Sequence, residues 1–382
     1  MSDLNTPVTI VGTRRLRSRS VRLISLMAVL VVIAAACGGG DSGSDAKASG
    51  STSTIEPEGG TPSEGPNTPA PRPLATREKV TVVSVGAIEN FASPYLALAM
   101  GEFEKENIEV DIQAKPIADG TIMLAQGAAD VQMNGIAPAT LNQIAQGGSL
   151  RYVTSTFLAD ASEAGFYISK EYLDAKGEPD LAKLKGARVN TGRGGGGFGN
   201  PGALPLWQWF QEVGLKTTDV EVVDLPSAPD VAAALVNGSI AIGIGLTPAW
   251  QQIVESDCCQ LLVPNPVSGV YVSTTQFLED RSEVAKAFFR AILRTNRTYL
   301  SGDYKKNPEV VNALAAAFQV PPDSLTATPP LTFSDDLESK AEELVEPFQE
   351  FYRSNDLLSY EKDFARDELI DRSIIEEVLK EE

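Results

Sequence analysis

No histidine occurs anywhere in the 382 residues. That absence excludes Ser-His-Asp and Cys-His nucleophilic pairs, the HExxH zinc helix and any imidazole-based metal cage. Cysteine is scarce: Cys37, Cys258 and Cys259 are the only three. The last two are adjacent, so they form either a strained vicinal disulfide or, as expected here, two small apolar residues at a strand edge. Positive charge is short, 32 Lys and Arg against 51 Asp and Glu, for a net charge of −19. An acidic surface disfavours nucleic acid and anionic headgroups as partners. Internal repeats are lacking, and the glycine-rich stretch 192–200 fits neither GxGxxG nor a phosphate-binding loop, since no Lys-Ser/Thr follows its last glycine.

At the start of the chain, Arg14, Arg15, Arg17, Arg19 and Arg22 precede a near-continuous apolar run from Leu23 to Ala36. A spanning helix needs about 20 apolar residues, and this run is shorter. Ala34-Ala35-Ala36-Cys37 follows, then Gly38-Gly39-Gly40. A basic region, a short apolar run and small residues before a cut site read as a secretory signal over 1–36. A cysteine directly after the small residues resembles the lipobox of bacterial lipoproteins, in which the thiol is acylated and the cysteine becomes the new N-terminus. Ala34 stands where leucine is usual, and the residues after Arg14-Arg15 fit a twin-arginine signal poorly. The alternative is an uncleaved anchor with Cys37 incidental. The lipobox resemblance implies an extracytoplasmic protein anchored to the cell membrane. Without residues 1–36, 27 basic and 50 acidic residues remain, a net charge of −23. Residues 37–78 are rich in Gly, Ser, Thr and Pro without apolar periodicity and read as a lipidated Cys37 with a disordered linker.

Hydrophobic residues make up 43% of the chain, enough for a real core. Roughly 300 residues of folded material is near the size at which one core splits into two. From Val80 onward strands alternate with helices: strand 80–85, a helix from Ser93-Pro94 as cap and first position, Asn107 at its end, strand 108–112, helix 121–126, strand 130–134, helix 140–146 and strand 151–155. The alternation restarts at Ala187 with strand 187–190, helix 204–213, strand 220–223, helix 229–236 and strand 239–244. Helices over 279–300, 307–318, 335–353 and 361–380 complete the chain. The expectation is α/β, two doubly wound parallel sheets joined by a hinge, with a helical C-terminal tail packing back on the first lobe. Lobe I comprises 79–162, lobe II 163–271, and the return with its helices 272–382.

Residues 93–112, SPYLALAMGEFEKENIEVDI, resemble the helix-strand signature of solute-binding proteins for ABC transporters, in the nitrate/aliphatic-sulfonate/taurine/thiamine-precursor group. Gly127-Ala128-Ala129-Asp130 with Gly135 to Pro138, the step from Asp180 to Val189, and Pro248-Ala249-Trp250 continue the resemblance over about 80–300. Ala241 and Thr247 depart from it, standing where Asp and Glu are common. The resemblance implies a type II periplasmic-binding-protein-like fold, a small-molecule ligand held between the lobes, an ABC permease as partner, a monomer, and no cofactor, metal or catalytic residue.

Ligands of open α/β sheets bind beyond the carboxyl ends of the strands. That rule selects Asn90 and Phe91 after the first strand, and Asn134, Ile136 and Ala137 after the third. The asparagines could hydrogen-bond a ligand and Phe91 stack on it, although asparagine is commonly a turn residue. In the glycine loop, Gly194 and Gly195 allow backbone N–H groups to approach an anion, and Arg193 offers a planar fork; a solvated surface loop is the alternative. Phe198, Thr247 and Trp250 complete the candidates. Trp207 and Trp209 cannot share a helix face, so at least one belongs to the core. Carboxylates are dispersed among helices as solvated faces and none is assigned. Rival readings are a sensory or adhesive surface lipoprotein and, with less support, a carboxylate-dependent enzyme. The pyrimidine-forming thiamine enzymes are similar in architecture but depend on histidines.

Overall fold

The computed structural model describes residues 68–158, 165–192, 197–225, 227–245, 249–265 and 267–381. The signal segment, Cys37, Arg193, Gly194, Gly195 and Thr247 lie outside the described residues.

Strand β1 (Glu78–Ser84) places Val80, Val82 and Val83 wholly out of solvent. It pairs in parallel with β2 (Ile108–Ala114) and β3 (Val131–Asn134). The chain passes through α1 (Ala92–Ala99), α2 (Ile117–Ala125) and α3 (Pro138–Ala145) and closes with β4 (Leu150–Ser155). A second sheet is built from β5 (Gly165–Ser169), β6 (Arg188–Val189), β7 (Glu221–Val222), β8 (Ile242–Gly245) and β9 (Cys259–Pro264), with α4 (Leu204–Val213), α5 (Ala228–Val236) and α6 (Trp250–Glu255) between them. Strand β10 (Val270–Thr274) then returns to the first sheet. The orders are β2-β1-β3-β10-β4 and β7-β6-β8-β5-β9.

The sheets are mixed, not parallel as the alternation suggested. β10 runs antiparallel to β3 and β4, and β5 antiparallel to β8 and β9. Each of these strands is fed directly from the other lobe, without the crossover helix that makes successive strands parallel.

Local expectations met mixed outcomes. Asn107 ends its helix in the left-handed region at φ 58°, as a C-terminal asparagine does. Ser93 does not cap α1; its hydroxyl donates to Asn296 Oδ1 instead, at 2.6 Å. The final helix is interrupted: Arg366–Leu369 is one turn, Ile370 bridges to Tyr152 of β4, and a helix resumes over Ser373–Lys380. Cys258 and Cys259 form a vicinal disulfide, not two free apolar side chains.

After β10, α7 (Ser282–Tyr299) buries Phe288, Phe289 and Ile292 against the first sheet, beside Val80, Val82 and Met133. Two of its other buried residues, Arg290 and Arg294, are charged. Arg294 contacts Glu102 and Glu106, and Arg290 contacts Glu106, with all four side chains at most 4% exposed. These glutamates are therefore buried network members rather than the solvated face expected of them. Arg290 also donates to the Arg72 carbonyl and pairs with Glu381, which ties the first described segment to the last.

The tail reaches further than the first lobe. Helix α8 spans Pro308–Phe318, and α9, Ala341–Ser354, follows it. Val345, Phe348 and Phe351 of α9 share one apolar cluster with Leu141 of the first lobe and Leu204, Trp207 and Phe210 of the second. The Trp207 and Phe351 rings lie 5.3 Å apart, while Tyr352 donates to the Ile136 carbonyl. Trp207 is thus the core member of the tryptophan pair, at 5% exposure.

Candidate functional site

The lobes meet at the carboxyl ends of their strands. A Cβ on Gly135, the residue after β3, would lie 2.6 Å from the Cβ of Pro201 in the second lobe. Only glycine permits so close an approach at that point. Pro201 follows Asn200, whose amide packs against Gly192, two residues beyond Asn190. On the first-lobe side, a Cβ on Gly269 would fall 2.3 Å from Thr156 Oγ1, 3.3 Å from the Phe91 ring and 3.4 Å from the Asn134 carbonyl. A continuous run of neighbours therefore joins Asn190 to Phe91 across the lobe contact.

This run contains polar atoms that the fold buries without pairing. Asn134 is 1% exposed, and neither its Oδ1 nor its Nδ2 has a hydrogen-bond partner. Thr156 Oγ1 and Asn190 Oδ1 are likewise buried and unpaired, although Asn190 Nδ2 donates to the carbonyls of Gly192 and Val223. Unpaired buried polar groups are costly, which makes these three side chains candidates for bonds to a ligand or water.

Two residues before Phe91, Glu89 is also buried. Its Oε1 accepts from the Tyr304 hydroxyl and from Lys305 Nζ, the latter at 2.7 Å, while Oε2 has no partner. Burial first, and then the Glu89 charge, push the Tyr304 phenol far above its usual range, so it acts here as a neutral donor. Lys305 also donates to Thr328 Oγ1 at 2.8 Å. Next to Thr328, the Ala327 carbonyl accepts from Gln251 of α6, a second contact between lobes.

Among the residues expected at the site, the structure brings Phe91 and Asn134 together at the Gly269 cradle. Asn90 is half-buried beside them. Ile136 and Ala137 are buried at the start of α3, and Ile136 presents its carbonyl to Tyr352 rather than an open side chain. Phe198 belongs to the core, its ring 5.7 Å from Phe210. Trp250 begins α6, with its Cβ 3.2 Å from where a side chain on Gly245 would start, and is 8% exposed. Thr156, Asn190, Glu89 and Lys305 were missed. The strand-end rule could have found the first two. Nothing local marks Glu89 and Lys305, which meet across 216 residues.

A surface hollow of about 410 Å³ lies elsewhere, lined by Ser149, Arg151, Phe364, Asp367 and Glu368. It sits where β4 begins, at the amino ends of the parallel strands, the wrong end for a ligand of an open α/β sheet. Among the described residues no cluster of acidic or cysteine ligands could hold a metal ion, and no helix is long and apolar enough to cross a membrane.

The two five-stranded lobes, the double crossing and the strand-end cluster define an α/β protein of the periplasmic-binding-protein type. A family model described as NMT1/THI5 like matches residues 88–301, more than half of the chain, and the chain belongs to that family. No curated protein matches. Solved structures show the same fold at low identity. The aliphatic sulphonate binding protein SsuA of Escherichia coli is 17% identical with a TM-score of 0.57, covering 78% of this chain and 99% of its own. The nitrate-binding protein NrtA of Synechocystis PCC 6803 is 14% identical with a TM-score of 0.57, covering 81% and 90%. The desulfurization enzyme DSZB is 16% identical with a TM-score of 0.53, covering 80% and 99%. These similarities bear on fold alone.

Proposed function

We propose that the protein is the solute-binding component of an ABC import system, held to the membrane through a lipid on Cys37. A small anionic or heteroaromatic molecule is captured between the lobes and passed to a permease. One observation carries the reading: Asn134, Thr156 and Asn190, each with a buried and unpaired side-chain atom, all belong to the run of neighbours that crosses the lobe contact. Ligand contacts to both lobes stabilise the closed form, and no bond in the ligand need change. SsuA and NrtA, whose names describe sulphonate and nitrate binding, support this by their shared fold. The acidic charge suits a solvated extracytoplasmic body.

The enzyme reading draws on the fold it shares with DSZB. Against it, no histidine exists, and Glu89, a buried carboxylate two residues from Phe91, is held by Lys305 and Tyr304. The test is a thermal-shift screen of sulfonates, nitrate, carboxylates and heteroaromatic compounds, followed by recovery of each hit. A ligand at 100 times its Kd adds about 2.7 kcal/mol. Stabilisation with unchanged ligand is expected, and conversion of the ligand would overturn the binding-only reading. Anchoring is checked by fractionation: Cys37→Ser should leave the membrane, and retention there would count against the lipid.

A further inference from the structure

We propose that the Cys258–Cys259 pair is a thiol-exchange site, at which a dithiol reductant opens the disulfide and loosens helix α6.

A bridge between neighbouring residues encloses no chain. Disulfides stabilise chiefly by closing a loop in the unfolded state, and the effect grows with loop length. This one therefore adds little as a staple, and two adjacent apolar residues would fill the same space. What sets the pair apart is its chemistry.

Its surroundings are asymmetric. Cys259 opens β9, the outer strand of the second sheet, opposite Ser169, and is 9% exposed. It belongs to an apolar cluster with Tyr167, Leu235 and Ile253. Cys258 is half-buried in the turn before the strand and packs at the edge of that cluster. An incoming thiolate thus meets Cys258 first. Lys170 lies beside it: its backbone N–H donates to the Cys258 carbonyl at 2.9 Å, and its ammonium pairs with Asp257. A nearby cation favours thiolate over thiol, both in the attacking group and in Cys258 once released.

The exchange balances without any other reagent. A thiolate of the reductant attacks Cys258 Sγ; the bond to Cys259 breaks as the mixed disulfide forms, and Cys259 takes a proton. The reductant's second thiol then displaces Cys258, which is released and protonated in turn. Two electrons and two protons pass to the pair, and the dithiol becomes a disulfide.

Only Ser256, Asp257 and Cys258 separate α6 from β9. Asp257 holds the left-handed region at φ 52°, which costs a residue other than glycine. The Cys258 amide donates to Ser256 Oγ, which itself donates to the Ile253 carbonyl in α6. The same short helix carries Gln251, the donor to the Ala327 carbonyl of the other lobe. Opening the bridge frees one end of a helix whose other end touches that lobe.

The experiment treats the folded full chain, as Cys37→Ser, with dithiothreitol or separately with reduced thioredoxin, then traps thiols with iodoacetamide for mass spectrometry. Both cysteines should be labelled, Cys258 before Cys259. The melting temperature should stay nearly unchanged, as a bridge that closes no loop requires. Hydrogen exchange across 250–258 should quicken about tenfold. Cys258→Ser/Cys259→Ser should exchange at the faster rate with or without reductant; if that variant does not fold, the reduced parent carries the same comparison. Reduction by either reagent supports the site, and the reagent that acts tells a protein dithiol from a small one. Labelling only after denaturation would overturn the proposal. So would a collapse of the melting temperature on reduction, the mark of a staple, or unchanged exchange across 250–258.

Discussion

Arg294 shows how far a single side chain can act in this fold. It contacts Glu102 through Nε and Glu106 through Nη1, the latter at 2.7 Å, in a region closed to water. Removing one partner of a buried pair leaves an uncompensated charge, which costs about 3–5 kcal/mol. Arg294→Met should therefore lower unfolding free energy by that amount in urea titrations, without altering ligand affinity. Burial tends to raise the Glu102 carboxyl, but hydrogen bonds from Lys105 and Arg294 and their charges prevail and hold it below its usual range. A depressed folded pKa gives stability that is present above the unfolded value, about 4.3, and lost as pH falls through the folded one. Acid unfolding should thus begin below about pH 4, and Arg294→Met should make its onset less steep. None of this network was legible in sequence. Glu102 and Glu106 sit among other charges in GEFEKEN, and their arginine partners lie 184 to 192 residues away.

At the level of elements, sequence was a better guide where the deciding interaction is local. Helix α4 occupies Leu204–Val213, the span its pattern indicates, and ends at Gly214 in the left-handed region. Helix α8, expected over 307–318, starts at Pro308, with Asn307 Oδ1 accepting from the Glu309 amide at 3.0 Å. Asn307→Ala should cost about 1 kcal/mol of stability, read as a shift in denaturation midpoint. Where a distant partner decides, the reading fails. Ser93 has the residue type of a cap and the neighbour to match, yet Asn296 claims its hydroxyl. The Arg366–Lys380 region has helical spacing, but pairing between Ile370 and Tyr152 breaks it. Strand direction was misjudged for the same reason, since alternation cannot reveal that β5 and β10 arrive from the opposite lobe.

At the scale of the whole molecule, lobe closure depends on the space left at Gly135. A methyl group there would meet the rigid Pro201 ring at 2.6 Å, so Gly135→Ala should hold the lobes apart. Overpacking of this kind opposes closure by about 1–3 kcal/mol. Ligand affinity should fall accordingly, and small-angle scattering of the saturated variant should give a larger radius than the parent. Equal affinity and equal radius would place the binding site elsewhere. The site was half legible at this scale: Phe91, Asn134 and, applied further, Thr156 follow from the strand-end rule, whereas Gly269 meets Thr156, and Pro201 meets Gly135, only through the double crossing.

The placement of β10 also dictates an order of assembly. It is the strand between β3 and β4, yet it lies more than 100 residues beyond either of them. Until Thr274 has left the ribosome, those two strands have no neighbour to join them, and their backbone edges stay open to mispairing. The strands of the second sheet, by contrast, are consecutive from Gly165 to Pro264. The inserted lobe is therefore the one able to complete its sheet first, and the lobe that begins the chain is the last to close.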